Sequence, residues 1–372
     1  MQRKTLDAFI ALLRAGLWEQ GVRLACFGAI DFNEIRRVAS DEGVLGLVTA
    51  GMEHVEDLKI QKATAIPFLL KTMEAERQCI EMNAFVEKLF REMREAGVFS
   101  SMVKGQGIAQ CYVRPLWRNT GDVDLFLDET NYEKAKKMLC SIASWREGEG
   151  IYSKHLGMEI DGWMVELHGT LRAGLTKRMD GMLDGLQEEL FRTRQFRIWK
   201  NGAEDICLPL ADYDVIFVFT HILQHFYKGG IGLRQICDWA RLLWTYRDSI
   251  DRQLLEKRLV EGGLMVQWKA FGAYAVEWLG MPAEAMPFYQ PSRRYSRKAQ
   301  RIHRFVMKVG NMGQNRDMSY YDKYPFLIRK SISFFRRLGD ALHHMLIFPV
   351  DSLRILPFML LGGFRSAWEE GN

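Results

Sequence analysis

The sequence predicts an α+β fold in which a small mixed β-sheet core is flanked by N-terminal and C-terminal helical regions. From Thr5 to about Gly97, apolar residues recur at the three- and four-residue spacing of helices. Short β-rich runs separated by turn residues fill about 99–208, and helical spacing returns after Pro209. With 372 residues, 48% of them apolar, the chain is long enough to bury more than one core.

The helical regions follow from this spacing. Residues 1–98 form the predicted N-terminal region, which contains one long charged helix over 74–95. Residues 209–290 form a predicted helical bundle, and 291–372 form a basic, aromatic-rich helical C-terminal region. The helices expected in the bundle cover 214–227, 233–247 and 254–279.

The predicted core, 99–208, contains two hairpins. Asp161-Gly162 separates two runs of alternating residues, and Asp-Gly supplies the positive φ angles that a type I′ turn needs. Asn201-Gly202 repeats this arrangement. The expected strands cover 101–103, 122–127, 155–160, 163–168, 196–199 and 204–208, and a helix is expected over 131–143.

Charge and cysteine usage exclude several classes of protein. The 51 basic and 46 acidic residues leave a net charge of +5 without any block of like charges, so no DNA-binding surface is evident. The six cysteines form no CxxC pair, which argues against a disulfide scaffold or a zinc site and favours a reducing compartment. The N-terminus lacks the features of a secretion signal, and we therefore expect a cytoplasmic protein.

One apolar stretch near the end, 343–364, raises the question of a membrane. Pro349, Asp351, Arg354 and Pro357 interrupt it, whereas a spanning helix needs about 20 mostly apolar residues. Packing against the body of the protein is the favoured interpretation, and peripheral membrane contact is the alternative.

Two aspartates mark the candidate site. Asp122 and Asp124 are two residues apart on a predicted strand, so both side chains point to one face while Val123 and Leu125 point to the other. Carboxylates this close repel each other unless a cation lies between them, and hard oxygen ligands suit Mg²⁺ or Mn²⁺. The alternative is an ordinary solvated strand end.

A third carboxylate supports the metal interpretation. Glu166 lies in the apolar strand WMVELH, where alternation places it on one face with Met164 and His168. Burying an acid among apolar residues is costly unless the acid is paired or coordinates a cation.

Cations precede these acids. Lys104-Gly105 ends the first short strand, just before the start of a helix, where glycine allows close approach and backbone N–H groups suit phosphate oxygens. Arg118 lies four residues before Asp122, so its guanidinium offers a second phosphate clamp. The alternative for Lys104 and Arg118 is charge balance with the two aspartates.

His221 and His225 share one face of a predicted helix. The helix lacks an acid between them of the HExxH kind, so zinc binding is disfavoured and hydrogen-bonded core or cleft histidines are expected. Asp238, further along, is expected to cap or pair within the bundle.

These motifs, in this order, resemble the polymerase-β-like nucleotidyltransferase superfamily and, more closely, the bacterial uncharacterised nucleotidyltransferase family. The resemblance rests on Lys104-Gly105, an Arg-x-x-Gly-Asp-x-Asp-Leu run over 118–125 and a Glu-x-His strand over 166–168. It extends to the later helical stretch with His221, His225 and Asp238. The resemblance therefore implies that the predicted β-sheet core, 99–208, is a nucleotidyltransferase core.

The resemblance implies metal-dependent transfer of a nucleoside monophosphate from an NTP to an acceptor, with release of pyrophosphate. Two Mg²⁺ ions, or Mn²⁺, are implied as cofactors. Asp122, Asp124 and Glu166 are the implied catalytic and metal-binding residues. The implied nucleotide-binding residues are Lys104, Gly105, Gln106, Arg118 and Gly121, and the substrate cleft is expected to involve His168, His221, His225 and Asp238.

The sequence departs from the superfamily pattern at one point: Gly-Gln at 105–106 stands where the usual pattern has Gly-Ser. This departure bears on how the triphosphate is bound. The acceptor remains open: a small molecule, a protein or an RNA end. Two alternative functions also remain, a non-catalytic nucleotide- or partner-binding regulator on the same fold and a toxin-type nucleotidyltransferase that modifies tRNA.

Overall fold

The N-terminal region is helical. The computed structural model of the chain describes residues 2–149, 154–316 and 323–357. Helices α1 and α3 pack closely, because Gly51 lies against the Leu12 carbonyl. The long helix begins well before the predicted residue 74. The four helices are α1 (Arg3–Trp18), α2 (Phe32–Asp41), α3 (Leu45–Glu53) and α4 (Lys62–Glu95).

A five-stranded mixed sheet follows, in the order β1-β2-β5-β4-β3. Strands β2 and β5 run parallel, whereas the other neighbouring pairs in this sheet are antiparallel. A separate hairpin completes the β structure. The strands are β1 (Ser101–Val103), β2 (Val123–Phe126), β3 (Trp145–Arg146), β4 (His155–Ile160), β5 (Trp163–His168), β6 (Phe196–Asn201) and β7 (Glu204–Pro209).

Three helices connect these strands. Helix α6 starts earlier than expected because the Asp128 carboxylate accepts a hydrogen bond from the Asn131 backbone and caps its first turn. The connecting helices are α5 (Gly105–Ala109), α6 (Glu129–Leu139) and α7 (Lys177–Thr193).

The remaining helices form a bundle beside the sheet. The single helix predicted over 254–279 is wrong: the chain divides into two helices at Gly263, which has a φ of 71° and caps the first of them. Glycine adopts this left-handed conformation without strain and so ends the first helix here. The apolar spacing of the sequence continues across the break and does not reveal it. The described helices are α8 (Ala211–Lys228), α9 (Leu233–Thr245), α10 (Arg252–Gly262), α11 (Met265–Glu277), α12 (Arg293–Val309) and a C-terminal helix, Phe326–Ile347.

The two faces of the five-stranded sheet have different surroundings. Val123, Leu125, Val165 and Leu167 are fully buried in a core shared with α4 and α6. The opposite face carries polar side chains and is directed towards α8 and α9. The five-stranded sheet and the many helices agree with the predicted α+β class.

The apolar stretch 343–364 lies partly outside the described residues. Among the residues that are described, none of the helices has the length and apolar character needed to cross a membrane.

Candidate functional site

A cavity of about 640 Å³ separates the polar face of the sheet from the helical bundle. The sheet and its preceding loop contribute Asp122, Asp124 and Glu166 to the wall, and the helices contribute His221 and Arg234. The volume is in the range of small-molecule sites in proteins.

Strand pairing brings the three predicted carboxylates together. The parallel register of β2 and β5 places Asp124 directly opposite Glu166, and Asp122 immediately precedes β2. One carboxylate oxygen from each residue lies within 4.8 Å of the other two. Val123 and Leu125 on the other face are completely buried, so the core holds the strand in position.

Lys104 contacts this carboxylate cluster. Its Nζ lies 2.6 Å from Asp124 Oδ1, and the side chain is almost completely buried. The turn between β1 and α5 is unusual because Lys104 and Gly105 both have positive φ angles, 57° and 42°. A Cβ at position 105 would lie 3.3 Å from the Asp122 carbonyl oxygen. Gly105 therefore lets this turn approach β2 closely.

Two histidines on neighbouring strands also contact the acids. His168 Nε2 lies 2.7 Å from Asp124 Oδ1 and 3.3 Å from Glu166 Oε2. His155 Nε2 lies 3.0 Å from Glu166 Oε2, and its Nδ1 lies 3.1 Å from Glu147 Oε1. His155 is not among the site residues predicted from the sequence, although the predicted hairpin places it opposite His168.

The close packing of charges shifts several pKa values. Burial, together with the charges of Asp124 and Glu166, raises the pKa of Asp122. Burial opposes ionisation of Glu166 too, but hydrogen bonds with His155 and His168 hold its pKa well below the usual range. Burial lowers the pKa of Lys104, yet the three carboxylates outweigh that effect and raise it. The Lys104 ammonium therefore partly compensates the acids.

Arg118 is paired with an acid from another part of the chain. Its Nε and Nη2 each donate a 2.8 Å hydrogen bond to the Asp238 carboxylate, which also accepts one from Tyr112 Oη at 2.7 Å. Arg118 and Asp238 are both buried. The structure therefore pairs Arg118 with Asp238, and its guanidinium makes no ion pair with Asp122 or Asp124 among the described residues.

Arg234 is the cation that the sequence reasoning missed. Its Nη1 donates to the carbonyls of Thr120, at 2.9 Å, and Asn119, at 3.3 Å. Its Nε is buried without a hydrogen-bond partner, and no carboxylate of the described chain lies within ion-pairing distance. Burial and the nearby Arg118 charge lower the pKa of Arg234. Arg234 lies four residues before Asp238, on the same face of α9, and this spacing was the available signal.

His221 and His225 line the cavity as neutral side chains. Their Nε2 atoms lie 2.9 Å apart, so one ring donates a hydrogen bond to the other. Burial and the Lys104 charge lower the pKa of His221 well below its usual value and that of His225 to about 4.

The remaining predicted residues divide into two groups. Gly121 lines the cavity beside Arg234, and a Cβ there would lie 3.7 Å from Arg234 Nη2. Gln106 is buried away from the cavity and donates a 2.7 Å hydrogen bond to Asn83 Oδ1 on α4. The turn thus presents its backbone and Lys104 to the cavity, while Gln106 fixes α5 to α4.

Comparison with known families decides the family of the chain. A model of the family described as uncharacterised nucleotidyltransferase matches residues 28–280. The chain belongs to this family. The matched segment contains the sheet, the cavity and the bundle helices α8 and α9. Searches of curated proteins and of solved structures find no match.

Proposed function

We propose that the protein is a metal-dependent nucleotidyltransferase, which transfers a nucleoside monophosphate from an NTP to an acceptor and releases pyrophosphate. The observation that carries this proposal is the cluster of Asp122, Asp124 and Glu166 oxygens on the wall of a cavity that also contains cations. Membership of a nucleotidyltransferase family supports the reaction class.

The three carboxylates fit Mg²⁺ or Mn²⁺. Their oxygens are hard ligands on adjacent strands. Among the described residues, the one ammonium group in ion-pair contact with them is that of the buried Lys104. Asp122, Asp124 and Glu166 would together hold the metal ions. When bound, the metal neutralises phosphate charge and makes the acceptor oxygen a better nucleophile.

Protein cations supply the remaining charge for the triphosphate. Arg234 has no carboxylate partner within the described chain, and it lines the cavity beside Gly121 and Asp122. A guanidinium in this situation binds phosphate oxygens in a bidentate manner. Lys104 orients Asp124 through their 2.6 Å contact and adds a positive charge to the same wall.

The ion pair between Arg118 and Asp238 positions this phosphate site. Arg118 Nη1 donates to the Asn119 carbonyl, and the same carbonyl accepts from Arg234. The loop 118–121 is therefore held by two guanidinium groups directly before the first carboxylate. Rigid support of this kind holds the phosphate-binding groups and the carboxylates in a fixed relative geometry.

Pyrophosphate release tests the proposal. Wild-type protein with Mg²⁺, each NTP and a mixture of cellular metabolites, proteins and RNA should release pyrophosphate. Asp122→Asn and Asp124→Asn should reduce the rate by on the order of 10²–10³-fold or more, as when one electrostatic stabiliser of a transition state is removed. Asp205→Asn, at an exposed acid on β7, serves as the control.

The outcome also separates the alternatives. NTP binding without pyrophosphate release across all acceptors would contradict the proposal and favour a regulatory binder. Release that requires tRNA would identify the toxin-type activity. Full activity in the Asp122→Asn, Asp124→Asn double variant would refute the assignment of the site.

A further inference from the structure

A second set of metal-type ligands lies beside the carboxylate cluster. His155, Glu166 and His168 each offer one ligand atom, and the three atoms lie within 4.8 Å of one another. The hairpin creates this set, because antiparallel pairing places His155 opposite His168. Glu166 lies two residues before His168 on the same face of β5. The nucleotidyl transfer proposed above gives no role to His155.

The spacing of these atoms matches the coordination shell of a small ion. Glu166 Oε2 lies 3.0 Å from His155 Nε2 and 3.3 Å from His168 Nε2. With metal–ligand bonds of about 2.0–2.2 Å, neighbouring ligand atoms in tetrahedral or octahedral geometry lie roughly 2.9–3.5 Å apart. Both histidine–glutamate distances fall in this range, and the ligand atoms of the two histidines lie within 4.8 Å of each other.

A second carboxylate contacts the other ring nitrogen of His155. Its Nδ1 lies 3.1 Å from Glu147 Oε1, and the Gly157 backbone donates a 2.8 Å hydrogen bond to the same oxygen. Both ring nitrogens of His155 thus face carboxylates, Nδ1 that of Glu147 and Nε2 that of Glu166. A carboxylate behind a histidine in this way is the usual support of a metal-binding imidazole.

We propose that His155, Glu166 and His168 bind a divalent transition-metal ion of the Zn²⁺ type, at a site adjacent to the Mg²⁺ site. Two imidazole nitrogens favour such an ion, because Mg²⁺ prefers oxygen ligands alone. Glu147 positions His155 for this role. Binding at this site does not require nucleotidyl transfer, and its test uses metal binding alone.

Competition with a chromogenic chelator tests the site. The purified full chain is first freed of metal, and its Zn²⁺ affinity is then measured in the presence of excess Mg²⁺ and absence of NTP. We expect one Zn²⁺ per chain, at least a 100-fold loss of affinity in His155→Asn, and a loss of about 10–100-fold in Glu147→Gln. The visible d–d absorption of a Co²⁺-loaded sample should weaken in His155→Asn, which removes one of the two imidazole ligands.

His54→Asn provides the matched control. His54 Nε2 also lies close to a glutamate, at 2.6 Å from Glu19 Oε2, but on the N-terminal helices. Its substitution should leave Zn²⁺ affinity unchanged. Wild-type affinity in both His155→Asn and Glu147→Gln, each with the circular dichroism spectrum of the wild type, would overturn the proposal.

The two proposals fail in different ways. Asp122→Asn should reduce the rate of pyrophosphate release by on the order of 10²–10³-fold or more, while Zn²⁺ affinity changes little. If the Zn²⁺ site is absent, the wild-type protein releases pyrophosphate with Mg²⁺ but binds no Zn²⁺ above the level of His155→Asn.

Discussion

Removing the Asp238 carboxylate should destabilise the protein strongly. Asp238→Ala leaves the Arg118 guanidinium buried without its two 2.8 Å hydrogen bonds and leaves Tyr112 Oη without its acceptor. Breaking a buried ion pair by removing one partner costs about 3–5 kcal/mol, because the remaining charge stays buried. We therefore expect the free energy of unfolding, measured by urea titration, to fall by about that amount.

Two comparisons make this test specific. Asp205→Ala removes an exposed acid whose 3.9 Å contact with Lys200 is largely solvated, so it should cost less than about 1 kcal/mol. The double variant Arg118→Met, Asp238→Leu removes both charges and should recover much of the loss. A loss below about 1 kcal/mol in Asp238→Ala would refute the assignment of a buried ion pair.

Two further stability predictions concern a buried acid and a helix contact. Burial raises the pKa of Glu42 to about 7 from 4.5, so the folded state holds an extra proton between those values and stability falls as pH rises through that window. At about 1.36 kcal/mol per unit the fall is about 3 kcal/mol, and Glu42→Gln should remove it from unfolding curves recorded at pH 5 and pH 8. Equal slopes in both proteins would contradict the assignment. Gly51→Ala places a Cβ 2.0 Å from the Leu12 carbonyl oxygen and should destabilise by about 1–3 kcal/mol. Gly181→Ala, on α7 with no atom within 4 Å of the new Cβ, should instead stabilise by about 0.5–1 kcal/mol in the same thermal or urea unfolding series. A Gly51→Ala variant more stable than Gly181→Ala would contradict the close packing of Gly51 against Leu12.

Local patterns in the sequence predict much of the sheet. The hairpin 155–168 has the predicted bounds, because residue alternation and Asp161-Gly162 both report local backbone geometry. The alternation in β2 and β5 also predicted which side chains share a face with Glu166. The break at Gly263 was missed because the helical period continues on both sides of it.

Contacts between distant segments were not accessible in this way. The sequence places Arg118 close to Asp122, but its partner is Asp238, 120 residues further along the chain. Arg234 was passed over because its four-residue spacing from Asp238 indicates a shared helix face but not that this face reaches a cavity. Only the packing of α9 against the loop 118–121 brings these residues together.

Transfer of a labelled nucleoside monophosphate tests the central claim most directly. Protein is incubated with Mg²⁺ and α-labelled NTPs in a cell extract, and the products are examined by mass spectrometry for the added mass. We expect one acceptor class to be labelled by the wild type and by Asp205→Asn, and labelling to fall by on the order of 10²–10³-fold or more in Asp124→Asn and to be lost when the metal is chelated. Labelling that persists in Asp124→Asn at the wild-type level would contradict the central claim.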